Sequence, residues 1–182
     1  MKKSALLLLA LVAGALTVSA QSYKGTKSKI DFFSTTPMEN ISATDTVATT
    51  ILNAKTGDVV ALISIKGFVF PNSLMQEHFN ENYMESDKFP KANFVGKIQE
   101  TIDYGKDGVY PVTMVGKLTV HGVTQDRTIK GTLTVKGGMV IMDCKFDIKL
   151  EDHKIQVPEA VGQKIAESIN VTFHSELSKS GK

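Results

Sequence analysis

The stretch VYPVTMVGKLTVHGVTQDRTIKGTLTVKGGMVIMDCKFDIKL, residues 109–150, decides the fold. Its last third gives the clearest pattern, because apolar side chains occupy every second position from Val140 to Leu150. Charged side chains occupy the positions between them from Asp143 to Lys149. Successive side chains of a β-strand point to opposite faces of the sheet, whereas a helix would spread these charges around its circumference. The pattern therefore predicts a strand with one buried face.

Two further strands precede this one. Residues 110–120 and 129–136 alternate in the same way, with Val, Leu, Ile and Met on one parity and Thr and Lys on the other. A short link at residues 122–126 joins them, and Lys136-Gly137-Gly138 supplies the residues with positive φ that a tight hairpin requires. The whole stretch is predicted to be an antiparallel meander with one apolar and one polar face.

The chain begins with the features of a secretory signal peptide. Lys2 and Lys3 precede an apolar run at residues 5–16, and Val18-Ser19-Ala20 offers small residues before a cleavage site. Residues 1–20 are therefore predicted to be a signal peptide, and residues 21–182 a single domain. The location expected from this is the bacterial periplasm or the extracellular medium.

Charge and cysteine content exclude several classes of protein. The formal net charge is +2 and falls to 0 without Lys2 and Lys3, and no basic stripe remains to bind nucleic acid. The only cysteine, Cys144, excludes an intrachain disulfide. It lies mid-strand on the apolar parity, where a buried and inert thiol is expected.

The remaining segments complete a small barrel. Strands are predicted at 29–34, 43–53, 59–70, 92–101 and 170–177, and helices near 73–84, with Ser73 as N-cap, and near 158–168, with Pro158 at its first position. Eight antiparallel strands and two helices indicate a mainly β fold, a single closed eight-stranded antiparallel barrel. Its polar outer face argues against insertion into a bilayer, so a protein that does not span the membrane is expected.

An eight-stranded barrel is either filled by side chains or holds one slender ligand. Three glycines fall on the inward parity, where they either mark a bulge or a barrel corner or leave space for an apolar tunnel: Gly96, Gly116 and Gly131. The residues predicted to line the tunnel are Ile51, Ile63, Ile65, Met75, Phe79, Phe94, Ile98, Met114, Leu118, Leu133, Met142 and Phe146.

Three motifs carry a resemblance to a known family. LMQEHFNENYMES at 74–86, KFPKANFVGKI at 88–98 and GKLTVHGVT at 116–124 closely resemble the YceI-like family, over about Tyr23 to Leu177. The resemblance implies a lipocalin-like barrel that binds a polyisoprenoid or similar long amphiphile along its axis, without catalysis. The chain departs from the family at residues 33–39, where many members carry a strand with two histidines.

The polar residues of the 73–84 helix suggest no catalytic or metal site. Glu77, His78 and Glu81 lie within about one turn, but a second histidine at metal-binding spacing is missing. His78 and Asn82 are instead expected to pin the helix over the barrel mouth. His121 is expected to make a structural hydrogen bond to the backbone of a turn, and the other two histidines to lie on the surface: His153 and His174. No catalytic residue, metal or cofactor is expected.

Three functions are compatible with these features. The favoured hypothesis is an exported, non-catalytic protein that holds an isoprenoid or other long-chain lipid in an apolar tunnel. The alternatives are a ligand-free barrel acting in protein interaction or stress response, and a lipid-acting enzyme that uses His78 or His121. The oligomeric state stays open, with a dimer as one option.

Overall fold

A computed structural model describes residues 21–180, so the predicted signal peptide lies outside the described residues. The nine strands of this part of the chain are β1 Ser22–Thr35, β2 Asn40–Asp45, β3 Thr49–Asn53, β4 Asp58–Ser64, β5 Lys91–Ile98, β6 Gly108–Val120, β7 Val123–Lys136, β8 Met139–Lys149 and β9 Ser168–Lys179. The helical segments are α1 Ser73–His78, a π-helical turn Phe79–Tyr83, and 3₁₀ turns Ile65–Gly67, Glu151–His153 and Glu159–Lys164.

The sheet closes on itself through β1. The strands from β3 to β9 pair antiparallel in chain order, and β1 pairs with β3 on one side and with β9 on the other. The second half of β1 also pairs with β2, which is an extra short strand. The predicted closed, eight-stranded antiparallel barrel is confirmed, with one strand added. Closure satisfies the backbone groups that an open edge would expose.

The central meander forms as its alternation predicts. Val140, Met142 and Cys144 on β8 are buried, and the intervening charged residues face outward. Gly137 and Gly138 have φ values of 57° and 80°, which only a residue without Cβ adopts freely, and they form the predicted hairpin.

The N-terminal strands differ from the prediction. β1 is fourteen residues long rather than six, and a bulge between Gly25 and Lys27 shifts its parity. The predicted strand at 43–53 is two strands, because the buried Asp45 carboxylate accepts hydrogen bonds from the amides of Val47 and Ala48 and turns the chain there. Such side chain to backbone bonds compete directly with a ladder.

The observed helical segments also differ from the predicted ones in their bounds. The N-cap of α1 is Asn72, whose side chain accepts from the amides of Leu74 and Met75, and not Ser73. The second predicted helix is a 3₁₀ turn over Glu159–Lys164, and β9 already begins at Ser168. Within residues 21–180, no helix is long and apolar enough to cross a membrane.

The barrel has one packed end. Tyr23, fully buried, stacks on Tyr104 of the β5–β6 loop with ring centroids 5.7 Å apart, and so closes this end. The side chains that fill it have almost no solvent exposure: Leu52, Leu133, Val135, Val140 and Leu177. At the other end of the barrel, side chains leave a cavity.

Candidate functional site

The unfilled half of the barrel contains an apolar cavity of about 450 Å³. Its walls come from the barrel strands, from residues 72–84 (the lid) and from residues 155–169. Exposed side chains of Leu74, His78 and Lys164 belong to the wall, so the cavity reaches the surface between the lid and the 155–169 segment, an opening called the mouth. The volume lies within the roughly 300–1,000 Å³ typical of small-molecule sites.

Most of the predicted tunnel residues lie on this wall. They are Ile63, Ile65, Met75, Phe79, Phe94, Met114, Leu118, Met142 and Phe146. Ile51 was placed wrongly: its side chain is 46% exposed and points outward, because Thr50 and Leu52 are the inward residues of β3. Ile98 and Leu133 are buried, but in the packed end, outside the cavity wall.

The three inward glycines are not on the cavity wall, so their predicted role in making tunnel space is wrong. Gly96 and Gly116 are paired across β5 and β6. A Cβ on Gly116 would collide with the carbonyl oxygen of Val95 and the Cα of Gly96, and one on Gly131 would collide with the carbonyl oxygen of Asp143. These glycines let the backbones of neighbouring strands approach closely, which a side chain at the same positions would prevent.

An aromatic cluster anchors the lid. The Phe79 ring packs against Phe32, Phe68 and Phe70 at centroid distances of 5.5, 5.7 and 4.9 Å. No residue of α1 itself is buried. A six-residue helix is too short to be stable alone, so its position depends on this cluster.

The polar groups of the mouth were not all predicted. Glu39, Tyr83 and Lys164 join His78 and Asn72 on the wall. The Lys164 Nζ lies 4.0 Å from the Glu39 Oε2. Burial, and then the nearby Glu39 carboxylate, raise the pKa of the Tyr83 phenol above its usual range. Only closure of the barrel brings the β1–β2 turn, the lid and the 159–164 turn together, so no local sequence pattern identifies this set.

His78 and Asn82 do not pin the lid. Both side chains are exposed, and neither has a hydrogen-bond partner among residues 21–180. Hydrogen bonds of other residues hold the lid: Asn72 caps α1, the Asn80 amide donates to the carbonyl of Gln76, and the Gln76 side chain accepts from the amide of Phe70.

The environments of His121 and His153 also depart from the prediction, whereas His174 lies at the surface as expected. His121 is only 9% exposed, and it bonds the backbone oxygen of His153 and the carboxylate of Glu85 rather than its own turn. His153 was expected on the surface but is fully buried, with Nδ1 donating to the carbonyl oxygen of Val123. His174 is half-exposed and bonds Asp143.

The thiol of Cys144 lies on the cavity wall but is not an activated nucleophile. Burial, and then the neighbouring Asp143, raise the pKa of the Cys144 thiol to about 12, so the thiolate is not formed near neutral pH. His121 lies outside the cavity wall. Between residues 21 and 180, no group of three or more His, Cys, Asp or Glu side chains could hold a metal ion.

The fold is similar to several solved structures. One is a polyisoprenoid binding domain from Saccharophagus degradans implicated in plant cell wall breakdown, with a TM-score of 0.74 and 14% identity over 88% of this chain and 99% of that one. Another is Burkholderia cenocepacia BcnA, with a TM-score of 0.68 and 18% identity over 82% and 95%. A third is the Campylobacter jejuni YCEI protein, with a TM-score of 0.56 and 16% identity over both full chains.

At these identities the similarity concerns the fold alone. No curated protein sequence matches the chain significantly. The YceI-like domain family, in contrast, matches residues 15–177, and the chain therefore belongs to the YceI-like family.

Proposed function

We propose that this protein is an exported, non-catalytic carrier that holds the tail of a polyisoprenoid or similar long-chain amphiphile inside its barrel. The observation that carries the proposal is the cavity of about 450 Å³, whose wall consists mainly of aliphatic, aromatic and methionine side chains and which reaches the surface at the mouth. A solved domain of the same fold, from Saccharophagus degradans, is a polyisoprenoid binding domain.

The physical basis of binding is desolvation of the tail. Burial of apolar surface gains about 25 cal/mol per Å², so a tail that buries a few hundred Å² gains several kcal/mol. Loss of rigid-body freedom offsets part of this gain. The cavity also favours a carrier over a ligand-free barrel, which would have side chains filling its axis.

The proposal that the protein is not a catalyst is based on the side chains of the cavity wall. Cys144, with a pKa raised by burial to about 12, is a poor nucleophile. His78, the one histidine on the wall, has no hydrogen-bonded carboxylate to orient it within residues 21–180. Export to the periplasm or medium is proposed on the signal-peptide features of residues 1–20.

A matched pair of substitutions on β4 tests the proposal. Ala61 lies on the cavity wall, whereas its neighbour Val60 is 38% exposed on the outer face. Ala61→Trp should fill the cavity and lower the affinity for a prenyl alcohol by about tenfold or more. Val60→Trp adds the same side chain outside the barrel and should leave the affinity unchanged.

Binding should be measured by titration of the purified protein, and native mass spectrometry after expression should detect bound lipid. Circular dichroism should show that both variants fold. A wild-type protein that takes up no isoprenoid or other long-chain lipid would reject the proposal. Equal affinities of the Ala61→Trp and wild-type proteins would show that the ligand binds elsewhere.

A further inference from the structure

The ionisable side chains of the cavity wall form a small set, and the inference drawn from them rests on the proposed function. They are Glu39, His78, Tyr83, Cys144 and Lys164. The pKa values of Cys144 and Tyr83 are raised, the former to about 12, so both groups are neutral near pH 7. Glu39 and Lys164 carry opposite charges. The wall therefore carries one carboxylate and one ammonium, beside the exposed imidazole of His78.

The groups at the mouth form one polar site. The Glu39 carboxylate lies 4.0 Å from the Lys164 ammonium, and their side chains are 30% and 50% exposed. Tyr83 lies close enough to Glu39 for the carboxylate to disfavour the ionised phenol. The Tyr83 hydroxyl has no hydrogen-bond partner among residues 21–180, so its donor is free for a ligand. A headgroup beside these three residues meets one acceptor, the Glu39 carboxylate, and two donors, the Lys164 ammonium and the Tyr83 hydroxyl.

We propose that the mouth selects a ligand whose headgroup is an uncharged oxygen, a hydroxyl or carbonyl, and discriminates against a phosphate ester of the same tail. A hydroxyl can donate to Glu39 and accept from Lys164 or Tyr83. A carbonyl can accept from either donor. Neither headgroup requires the Glu39–Lys164 pair to separate.

A phosphate lacks its usual partners at this site. It carries a charge of about −1.5 to −2 near neutral pH and is bound by clusters of arginine, lysine or backbone amides. The chain has one arginine, Arg127, and it is outside the cavity wall. The single lysine on the wall is already beside a carboxylate, which repels an incoming anion.

The test compares a prenyl alcohol with its own monophosphate, so that the contribution of the tail cancels. The wild-type protein should bind the alcohol about tenfold or more tightly than the monophosphate, measured by calorimetric titration at moderate salt. Glu39→Gln removes the repelling charge and releases Lys164, so the ratio of the two affinities should fall by about fivefold or more.

Glu176→Gln is the matched control. Its side chain is also 30% exposed and pairs with Lys27 at 3.6 Å, but outside the cavity, so it should not change the ratio. Equal affinities for the two ligands in the wild-type protein, or tighter binding of the monophosphate, would overturn the inference. An unchanged ratio in folded Glu39→Gln would also overturn it. If neither ligand binds, the proposed function itself fails, which is a distinguishable result.

Discussion

The Nε2 atom of His121 lies 3.0 Å from the Oε2 atom of Glu85, and this contact joins the residue that follows the lid to the β6–β7 hairpin. On its other side, His121 Nδ1 lies 3.2 Å from the backbone oxygen of His153. Glu85 and His121 both have positive φ, 42° and 50°, which is uncommon for residues other than glycine. The ring thus connects three segments that the sequence separates, and it packs edge-on against Phe89 with centroids 4.5 Å apart.

Loss of this ring should destabilise the protein. His121→Asn keeps a residue that tolerates positive φ but cannot reach both partners. The free energy of unfolding should fall by about 1–3 kcal/mol, because the backbone oxygen of the buried His153 loses its partner and the Phe89 ring loses its contact. Urea unfolding followed by circular dichroism measures this change.

His174→Asn is the control for that variant. His174 Nδ1 lies 2.7 Å from the Asp143 Oδ1, but the two side chains are 40% and 50% exposed. Loss of such a pair should cost less than about 1 kcal/mol, because solvent already screens it. Equal costs of the two substitutions would contradict the structural role of His121.

The close approach of β5 and β6 predicts a second effect on stability. In Gly116→Ala, the new Cβ would collide with backbone atoms of Val95 and Gly96, which cannot rotate away as a side chain can. The strands must separate, at a cost of about 1–3 kcal/mol or more in the free energy of unfolding.

Gly162→Ala provides the comparison for this substitution. No heavy atom lies within 4 Å of the position of its added Cβ, so the change should be within about 0.5 kcal/mol. Both variants can be measured by the same urea titration. A neutral Gly116→Ala would mean that the two strands are farther apart than their pairing indicates.

The barrel could be predicted because its strands bury one face each. From β5 to β9, alternation of apolar and polar residues locates the strands and their inward residues, as Val140 and Met142 show. β1 was underestimated because a bulge shifts its parity and because inward positions such as Ser28 are polar, with Oγ 2.8 Å from the Oγ of Ser175. Where polar residues face the inside of a barrel, the sequence does not alternate between apolar and polar residues, and the strand cannot be recognised from that pattern.

The site was harder to predict than the fold. Ile51 is an apolar residue of a type usually found in a core, but its side chain lies on the outer face of the barrel. The chain breaks after Asp45, and the new strand that starts at Thr49 places Thr50 and Leu52 on the inner face. His153 follows two acidic residues in a short turn, and its buried ring donates a hydrogen bond to the carbonyl oxygen of the distant Val123, a contact that no local pattern predicts. The extent of the cavity depends on which layers of side chains meet across the barrel, and single-strand patterns do not contain this information.

The anchoring of the lid by Phe79 predicts a local effect on dynamics. Phe79→Ala removes the ring that contacts Phe32, Phe68 and Phe70. The short α1 then loses its tertiary support, and amide hydrogen exchange in residues 73–84 should accelerate by about tenfold or more. The β6–β8 meander should keep its protection, because its hydrogen bonds do not depend on the lid.

Leu74→Ala is the control for the lid. Leu74 is also on the lid and on the cavity wall, but its side chain is 56% exposed, so its truncation should change exchange by less than about threefold. Mass spectrometry of peptides resolves the two regions. Acceleration over the whole barrel in Phe79→Ala would indicate that the lid is part of the global folding unit instead.

The buried thiol predicts how stability depends on pH. Burial, and then Asp143, raise the pKa of Cys144 from 9.0 to about 12 in the folded protein. Below about pH 9 both the folded and unfolded states keep the proton, and the contribution to stability is constant. As the pH rises further, the unfolded state releases the proton and the folded state does not. The free energy of unfolding should therefore fall by up to about 1.4 kcal/mol per pH unit from this group.

Cys144→Ala removes the titrating group, and the loss of stability between about pH 9 and 10 should become smaller. The comparison uses the slope of the free energy of unfolding against pH. A pH-independent loss of stability caused by truncation of the side chain therefore does not affect it. Tyr104, whose pKa burial and then Tyr23 raise from 10.0 to about 12, begins to ionise at higher pH in the unfolded state than Cys144, so Tyr104→Phe should reduce the slope in this window by only about a third as much as Cys144→Ala. Urea unfolding at closely spaced pH values measures the slopes. Identical slopes for wild type and Cys144→Ala would show that the thiol ionises as readily in the folded barrel as in the unfolded chain.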